Sequence, residues 1–156
     1  MPVNHVAIVD SKGKAVGESI GALGGAPSGT LMLPAVLLRV GQNLAFVNVD
    51  RNGFFGGTLY FESTNCSGTP WFRSPQPSGR PSLLPQTAIG LPGQTLYMEM
   101  AGGLTQTVTL RSSMGQDLFC LDNRFFSPIT VTAVQAQPLV DLLTVFTPPF
   151  SLRAAP

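Results

Sequence analysis

The chain has 156 residues, of which 11% are charged and 44% hydrophobic, whereas about 25% of the residues in a typical soluble domain are charged. Its formal net charge of +1 argues against a nucleic-acid-binding surface or attachment to an anionic membrane, because both need a strongly basic face. So few charges leave apolar surface uncovered, and we therefore expect a homo-oligomer or a module of a larger assembly.

The length fits a single domain covering residues 1–156. The longest apolar runs, residues 31–38 and 139–146, are too short for membrane insertion. Residues 1–5 (MPVNH) lack the basic start and apolar segment of a secretory signal. Either the protein is not exported by that route, or a leader and an upstream region precede this chain. We expect the second, because a strand-like pattern begins almost at Met1.

Short runs of β-branched and aromatic residues, separated by 17 glycines and 14 prolines, predict strands and leave no room for long helices. The predicted strands cover residues 3–9, 14–20, 35–38, 44–49, 58–62, 84–89, 95–100, 106–111, 118–121 and 129–134. This pattern predicts an all-β domain, a sandwich or barrel of about 8–11 short strands with long loops.

Turn residues indicate how some of these strands connect. Residues 10–13 (DSKG) suit a hairpin with Gly13 at the positive φ position. Residues 50–53 (DRNG) give a second hairpin signal, which predicts that residues 44–49 and 58–62 are paired strands. Loops are predicted at residues 21–29, 74–81 and 90–93. The hydrophobic C-terminal stretch 138–156 is broken by prolines, so we expect an extended tail lying across a surface of this subunit or of a neighbour.

Alternation distinguishes two kinds of strand. Residues 106–111 and 58–62 alternate apolar and polar side chains, which predicts one buried and one solvated face. Residues 35–38 and 44–47 are apolar on both faces, which predicts a central strand or one covered by a neighbouring subunit.

The two cysteines, Cys66 and Cys120, are compatible with one disulfide in an oxidising compartment. It would close a loop of about 55 residues and stabilise the fold by about 4 kcal/mol. The alternative is two unrelated buried thiols. Two cysteines and one histidine make a poor zinc ligand set, so no metal site is expected.

Nothing in the sequence forms a recognisable catalytic motif, and no cofactor is expected. The single histidine, His5, lies in a strand-like run without a nucleophile motif beside it. Asp10 and Asp50 occupy turn positions where aspartate bonds the backbone, and Glu62 and Glu99 lie on predicted solvated faces. A polysaccharide-cleaving pair of carboxylates stays an open alternative, to be sought among Asp10, Glu18, Asp50, Glu62, Glu99, Asp117, Asp122 and Asp141.

The only tryptophan suggests a recognition surface. Trp71 and Phe72 next to Arg73 are candidates for a sugar-stacking platform, because an aromatic face suits apolar sugar faces and Arg supplies hydrogen-bond donors. Arg80, in the polar loop 74–81, is a further candidate for surface recognition. The alternative is that Trp71 packs on the Cys66 disulfide as part of the core.

Three segments resemble a group of poorly characterised bacterial domains: the hairpin at residues 9–17 (VDSKGKAVG), the segment 61–70 (FESTNCSGTP) and the ending 146–150 (FTPPF). Such domains look like C-terminal modules of secreted or surface proteins, sometimes behind collagen-like repeats, and are similar in character to phage fibre tips. The resemblance implies an extracellular, cell-surface or virion location. It carries no catalytic or binding residues, and no collagen-like repeat is present in this sequence.

These observations favour a non-enzymatic head domain that assembles as a homo-oligomer, most simply a trimer, and contacts a glycan or cell surface through its loops. One alternative is a purely structural protein that decorates a capsid or filament. The other is a polysaccharide-cleaving enzyme that uses paired carboxylates. Replacing each acid singly by its amide separates these classes, since only an enzyme would lose turnover.

Overall fold

A computed structural model describes residues 6–23, 33–74, 84–100 and 102–154. His5, Arg80 and most of the predicted loops 21–29 and 74–81 lie outside the described residues. Strands make up 54% of the structure, which confirms the all-β prediction. Four of the strand segments described lie outside the predicted strands, at residues 54–55, 71–73, 112–114 and 151–154.

Fourteen strand segments and one 3₁₀ turn are described. In chain order they are β1 (Val6–Val9), β2 (Ala15–Leu23), β3 (Leu33–Val40), β4 (Asn43–Val49), β5 (Phe54–Phe55), β6 (Leu59–Phe61), β7 (Trp71–Arg73), β8 (Thr87–Gly90), β9 (Thr95–Glu99), β10 (Gln106–Leu110), β11 (Ser112–Met114), β12 (Cys120–Leu121), β13 (Ile129–Asp141), the 3₁₀ turn Leu142–Thr144, and β14 (Ser151–Ala154).

The strands form two curled antiparallel sheets that pack as a sandwich or a pair of half-barrels. The first sheet has the order β14-β1-β2-β3-β4-β5. The second has the order β12-β11-β6-β7-β13-β9-β8, with β10 also paired to β13. Consecutive strands are mostly neighbours, as expected where short turns connect antiparallel strands.

Strand β13 organises the second sheet. Along one edge it pairs first with β10, from Ile129 to Ala133, and then with β9, from Ala136 to Asp141. Its other edge pairs with β7. The predicted strand 129–134 therefore continues much further, and it passes Pro138 through a register shift between Pro138 and Val140. A bulge is where a sheet tolerates proline, because proline has no N–H to donate.

The main core lies between the two sheets. Its buried members are Ile8, Val16, Val36, Leu38, Ala45, Val47, Val49, Phe54, Ile89, Leu96, Met98, Leu142, Phe146 and Phe150. A second buried cluster surrounds Leu59, Phe61 and Phe72 of the second sheet and includes Ala88 and Tyr97 of β8 and β9. Alternation in residues 58–62 and 106–111 is confirmed, since Leu59, Phe61, Val108 and Leu110 are buried.

The turn 10–13 has the predicted geometry, with Gly13 at φ 80° and its N–H donating to the Asp10 carbonyl at 3.0 Å. The turn 50–53 does not connect residues 44–49 to residues 58–62 as predicted. It joins β4 to the short β5, and residues 59–61 belong to the other sheet. Between them Gly56 and Gly57 have φ 132° and 67°, a left-handed backbone that lets the chain cross between sheets.

The C-terminal stretch is extended, as predicted, but it is part of the sandwich and does not lie over its surface. Pro138 is within β13, Phe146 and Phe150 are buried, and β14 pairs with β1. Strand β2 also continues through residues 21–23 of the predicted loop 21–29. In contrast, the predicted turn at residues 90–93 is confirmed.

Candidate functional site

The proposed sugar-stacking platform is not at the surface. The exposed fractions of Trp71 and Phe72 are 4% and 2%, so neither ring offers a face to a ligand, and the prediction for these two residues is wrong. Because strand residues alternate between faces, Phe72 faces the inner core while Trp71 and Arg73 face the opposite side of the sheet. Arg73 is half-buried, with its guanidinium 5.9 Å from the centre of the Tyr60 ring.

Trp71 instead belongs to a small second core on the outer face of the second sheet. It packs with Val108, Leu110 and Ala133, not with the disulfide. Its indole N–H is buried without a hydrogen-bond partner among the described residues. A buried N–H without a partner lowers the stability of the folded state. The apolar contacts of Trp71 with Val108, Leu110 and Ala133 therefore hold its side chain in place despite this loss.

The predicted disulfide is present between Cys66 and Cys120, whose Cα atoms lie 5.9 Å apart. It joins the polar turn after β6 to β12, the edge strand of the second sheet. The same turn is held by Ser112, whose hydroxyl accepts from the Cys66 N–H at 2.9 Å and donates to the Ser63 carbonyl at 2.6 Å. Ser112 is fully buried, so this turn has a fixed position on the sheet.

Asp10 acts on the backbone. Its carboxylate accepts from the N–H groups of Lys12 at 2.9 Å, Lys14 at 2.8 Å and Thr147 at 3.0 Å. The Thr147 N–H is the main reason that the pKa of Asp10 is lowered. The N–H groups of Lys14 and Lys12 lower this pKa further, and burial opposes the shift. Asp10 therefore ties the first hairpin to the C-terminal segment.

Two more aspartates also satisfy backbone groups. Asp50 accepts from the N–H groups of Asn52 at 2.7 Å and Gly53 at 2.8 Å. Asp141 accepts from Leu143 at 3.0 Å, where it caps the 3₁₀ turn, and from the N–H of Gln94 at 3.1 Å. The turn roles predicted for Asp10 and Asp50 are thus found in the structure.

Asp122 forms an exposed ion pair with Arg124 at 2.8 Å, and this hydrogen-bonded guanidinium lowers the pKa of Asp122. Across the residues that the structure describes, no group of three or more His, Cys, Asp or Glu side chains is arranged to hold a metal ion.

Two surface features stand out that sequence reasoning missed. One is a cleft of about 920 Å³ between β14 and the turn 50–53. Its walls include Ile8, Pro34, Val49, Arg51, Phe150, Leu152 and Arg153. Arg51 and Arg153 are far apart in sequence, and both line this cleft because the segment before β14 contacts the turn 50–53, where the Phe150 N–H donates to the Arg51 carbonyl at 2.9 Å.

The other feature is a group of exposed apolar side chains at and just after the edge strand β12, namely Phe119, Leu121 and Phe125, called here the β12 patch. The exposed fractions of Phe119 and Phe125 are 57% and 69%, and Leu121 is also exposed. The Arg124 guanidinium lies 5.7 Å from the centre of the Phe125 ring. The sequence predicted a strand at 118–121 but contained no signal that its apolar side chains face solvent.

Comparisons with protein-family models, curated proteins and solved structures found no match to this chain. In the part of the chain that the structure describes, no helix has the length and apolar character needed to cross a membrane.

Proposed function

We propose that this chain is a non-enzymatic, β-rich head domain of a secreted, surface or virion-associated assembly. It forms a homo-oligomer, a trimer, and contacts a glycan or cell surface through its loops. Low charge and exposed apolar side chains support the oligomer, since monomeric domains rarely expose large contiguous apolar patches. The resemblance of residues 9–17 and 61–70 to bacterial surface domains supports the location, and a disulfide is compatible with it.

The β12 patch is the observation that carries the proposal. It combines three exposed apolar side chains with a sheet edge, and a free edge readily pairs with another chain. The disulfide holds this edge in place, so an interface formed there would not first have to order it. Rigid elements that are already in position lose less entropy on association.

The non-enzymatic part of the proposal is supported by how the aspartates are used. Asp10, Asp50 and Asp141 accept hydrogen bonds from backbone N–H groups. Asp122 is paired with Arg124. A glycoside-cleaving pair needs two carboxylates that face a common substrate cleft, and carboxylates bonded to the backbone serve the fold instead.

Light scattering after size exclusion tests the oligomer. We expect a mass near three times 16.5 kDa for the wild type and a smaller species for the double variant Phe119→Ser/Phe125→Ser. Leu104→Ser is the matched control, because Leu104 is 83% exposed but lies outside the β12 patch; it should leave the mass unchanged. A monomeric wild type, or a double variant with wild-type mass, would contradict the interface.

The burial of Trp71 and Phe72 favours a second candidate, a purely structural domain whose only partner is its own assembly. A glycan array separates the two candidates. Saturable binding of one glycan class to the assembled protein supports a recognition function through the loops. Uniformly negative arrays from a protein of correct oligomeric mass favour the structural candidate.

A further inference from the structure

The three side chains of the β12 patch belong to one short segment, residues 119–125, in which no side chain is buried. Phe119, Leu121 and Phe125 are all exposed. Burial of apolar side chains is the main force that holds a segment on a fold, and the 119–125 segment has little of it. Other interactions must therefore hold these residues against the sheet.

Backbone pairing holds this segment only weakly. Strand β12 consists of Cys120 and Leu121, which pair with β11 at two positions. It is the last strand of its sheet, so no described strand covers its other edge. The remaining hydrogen bonds described for the segment are local, such as that from the Phe125 N–H to the Asp122 carbonyl at 3.0 Å. A strand pair of this length is not stable in water by itself.

Both ends of the segment are anchored by contacts outside it. Leu118 packs against the main core and against the cluster around Leu59. Phe126 packs against the cluster that contains Trp71, and its ring centre is 6.2 Å from that of Tyr60. The sandwich keeps these contacts whether or not residues 119–125 are held, so the segment can be released without unfolding of its neighbours.

The disulfide joins the middle of the segment to a fixed part of the molecule. Cys66 lies in the turn that the buried Ser112 hydroxyl holds. In the part of the chain that the structure describes, Cys66 and Leu118 are the two non-glycine residues with positive φ, at 56° and 59°. Backbone strain of this kind persists only where the surroundings hold it. Strain on both sides of the linkage therefore favours release of the segment once the S–S bond is broken.

We propose that oxidation of Cys66 and Cys120 is the step that assembles the β12 patch, so that the chain presents this surface only in an oxidising compartment. The two thiols lose two protons and two electrons and form one S–S bond, while the disulfide of an oxidant such as oxidised glutathione becomes two thiols. This exchange proceeds through a mixed disulfide. Neither cysteine is fully buried, so a small oxidant can approach them with the sandwich folded. In the reduced chain the 119–125 segment is released.

The consequence for assembly rests on the proposed function, in which the β12 patch is the subunit interface. A released segment does not present Phe119 and Phe125 as one surface, so reduced chains should stay monomeric and oxidised chains should associate. Because cytoplasmic thiols are kept reduced and disulfides form outside the cytoplasm, oligomerisation of an exported chain would be delayed until export.

Limited trypsin digestion with mass mapping tests the release directly, because Arg124 lies in the 119–125 segment. Proteolysis requires local unfolding around the cut. The oxidised chain should resist cleavage after Arg124, and dithiothreitol should abolish this resistance, whereas Arg39 in β3 and Arg111 between β10 and β11 should stay uncut. Reoxidation with oxidised glutathione should restore the resistance.

The variant Cys66→Ser/Cys120→Ser is the matched control. It should be cleaved after Arg124 as early as the reduced wild type, and dithiothreitol should not change its digestion. Light scattering of the same samples should give the trimer mass for the oxidised wild type and 16.5 kDa for the reduced wild type and the variant. If the variant fails to fold, the reduced wild type decides the test.

Two results would overturn the switch. One is a reduced wild type in which Arg124 stays as resistant as in the oxidised chain. The other is cleavage at Arg39, Arg111 and Arg124 at the same rate, which would mean that the disulfide holds the whole sandwich. An oxidised monomer in which reduction exposes Arg124 alone would support the switch and contradict the proposed oligomer, so the two failures are distinguishable.

Discussion

At the scale of single residues, aspartates hold the turns of this fold together. Asp10 is the clearest case, because its one carboxylate bonds two N–H groups of its own hairpin and a third from the distant C-terminal segment. Local pattern predicted the hairpin bonds. It did not predict the bond from Thr147, which depends on where the C-terminal segment packs.

Asp10→Asn should destabilise the protein at neutral pH, because an amide nitrogen cannot accept a hydrogen bond from a backbone N–H. Hydrogen bonds to the ionised form hold the folded-state pKa of Asp10 below its unfolded value. The stabilisation is therefore present above the unfolded value of about 3.9 and is lost as the pH falls through the lower folded value. Urea unfolding at a series of pH values measures this difference.

The difference between wild type and Asp10→Asn should shrink as the solution is acidified. Asp117→Asn is the control, because Asp117 is exposed and accepts a single bond, from the Phe119 N–H. A constant difference between wild type and Asp10→Asn across the acid range would show that the carboxylate charge at position 10 does not stabilise the fold.

At the scale of elements, runs with a clear apolar pattern were predictable, and most of the very short strands were not. Strands β3, β4, β9 and β10 contain enough alternating or continuous apolar residues to indicate a strand locally. Strands β5, β7 and β11 are two or three residues long and lie outside the predicted runs, because such segments become strands only where a partner strand lies beside them.

The disulfide is expected to stabilise the fold mainly by constraining the unfolded chain. Cys66 and Cys120 are 54 positions apart, and a loop of this size corresponds to about 4 kcal/mol in the chain-entropy model. Denaturant unfolding with and without a reductant should show a loss near this value. The double variant Cys66→Ala/Cys120→Ala should be equally destabilised and insensitive to reductant; a wild type unaffected by reduction would contradict this role.

At the scale of the whole molecule, the C-terminal segment completes the sandwich. Phe54, just after the turn 50–53, contacts Phe146 and Phe150 with ring centres 5.9 and 4.9 Å apart. All three side chains are buried in the main core. The first sheet therefore closes around aromatic residues from its two edges, β5 and the segment that leads into β14.

Phe150→Ala should destabilise the protein by about 3 to 5 kcal/mol, because it leaves a cavity at this junction. Leu104→Ala, at a highly exposed position, should change stability by no more than about 0.5 kcal/mol. Thermal or urea unfolding measures both variants. A Phe150→Ala variant as stable as Leu104→Ala would mean that the C-terminal segment is not part of the core.

The sequence by itself determined the all-β class, the DSKG hairpin with Gly13 at positive φ and the buried faces of residues 58–62 and 106–111. These properties depend on side-chain period and turn chemistry, which act between residues close in the chain. Because the chain has two cysteines, an intramolecular disulfide could join only Cys66 and Cys120.

Outside these alternating strands, only the tertiary structure decided which apolar residues are covered. Trp71, Leu152 and Phe125 are all apolar residues in or near short strands, yet Trp71 is buried by Val108 and Leu110 while the other two face solvent. Burial depends on which distant strand lies alongside and in which register, and a register shift of one residue exchanges the two faces. The cleft at β14 and the β12 patch arise from that long-range pairing, because strand period alone does not specify which strand lies beside which.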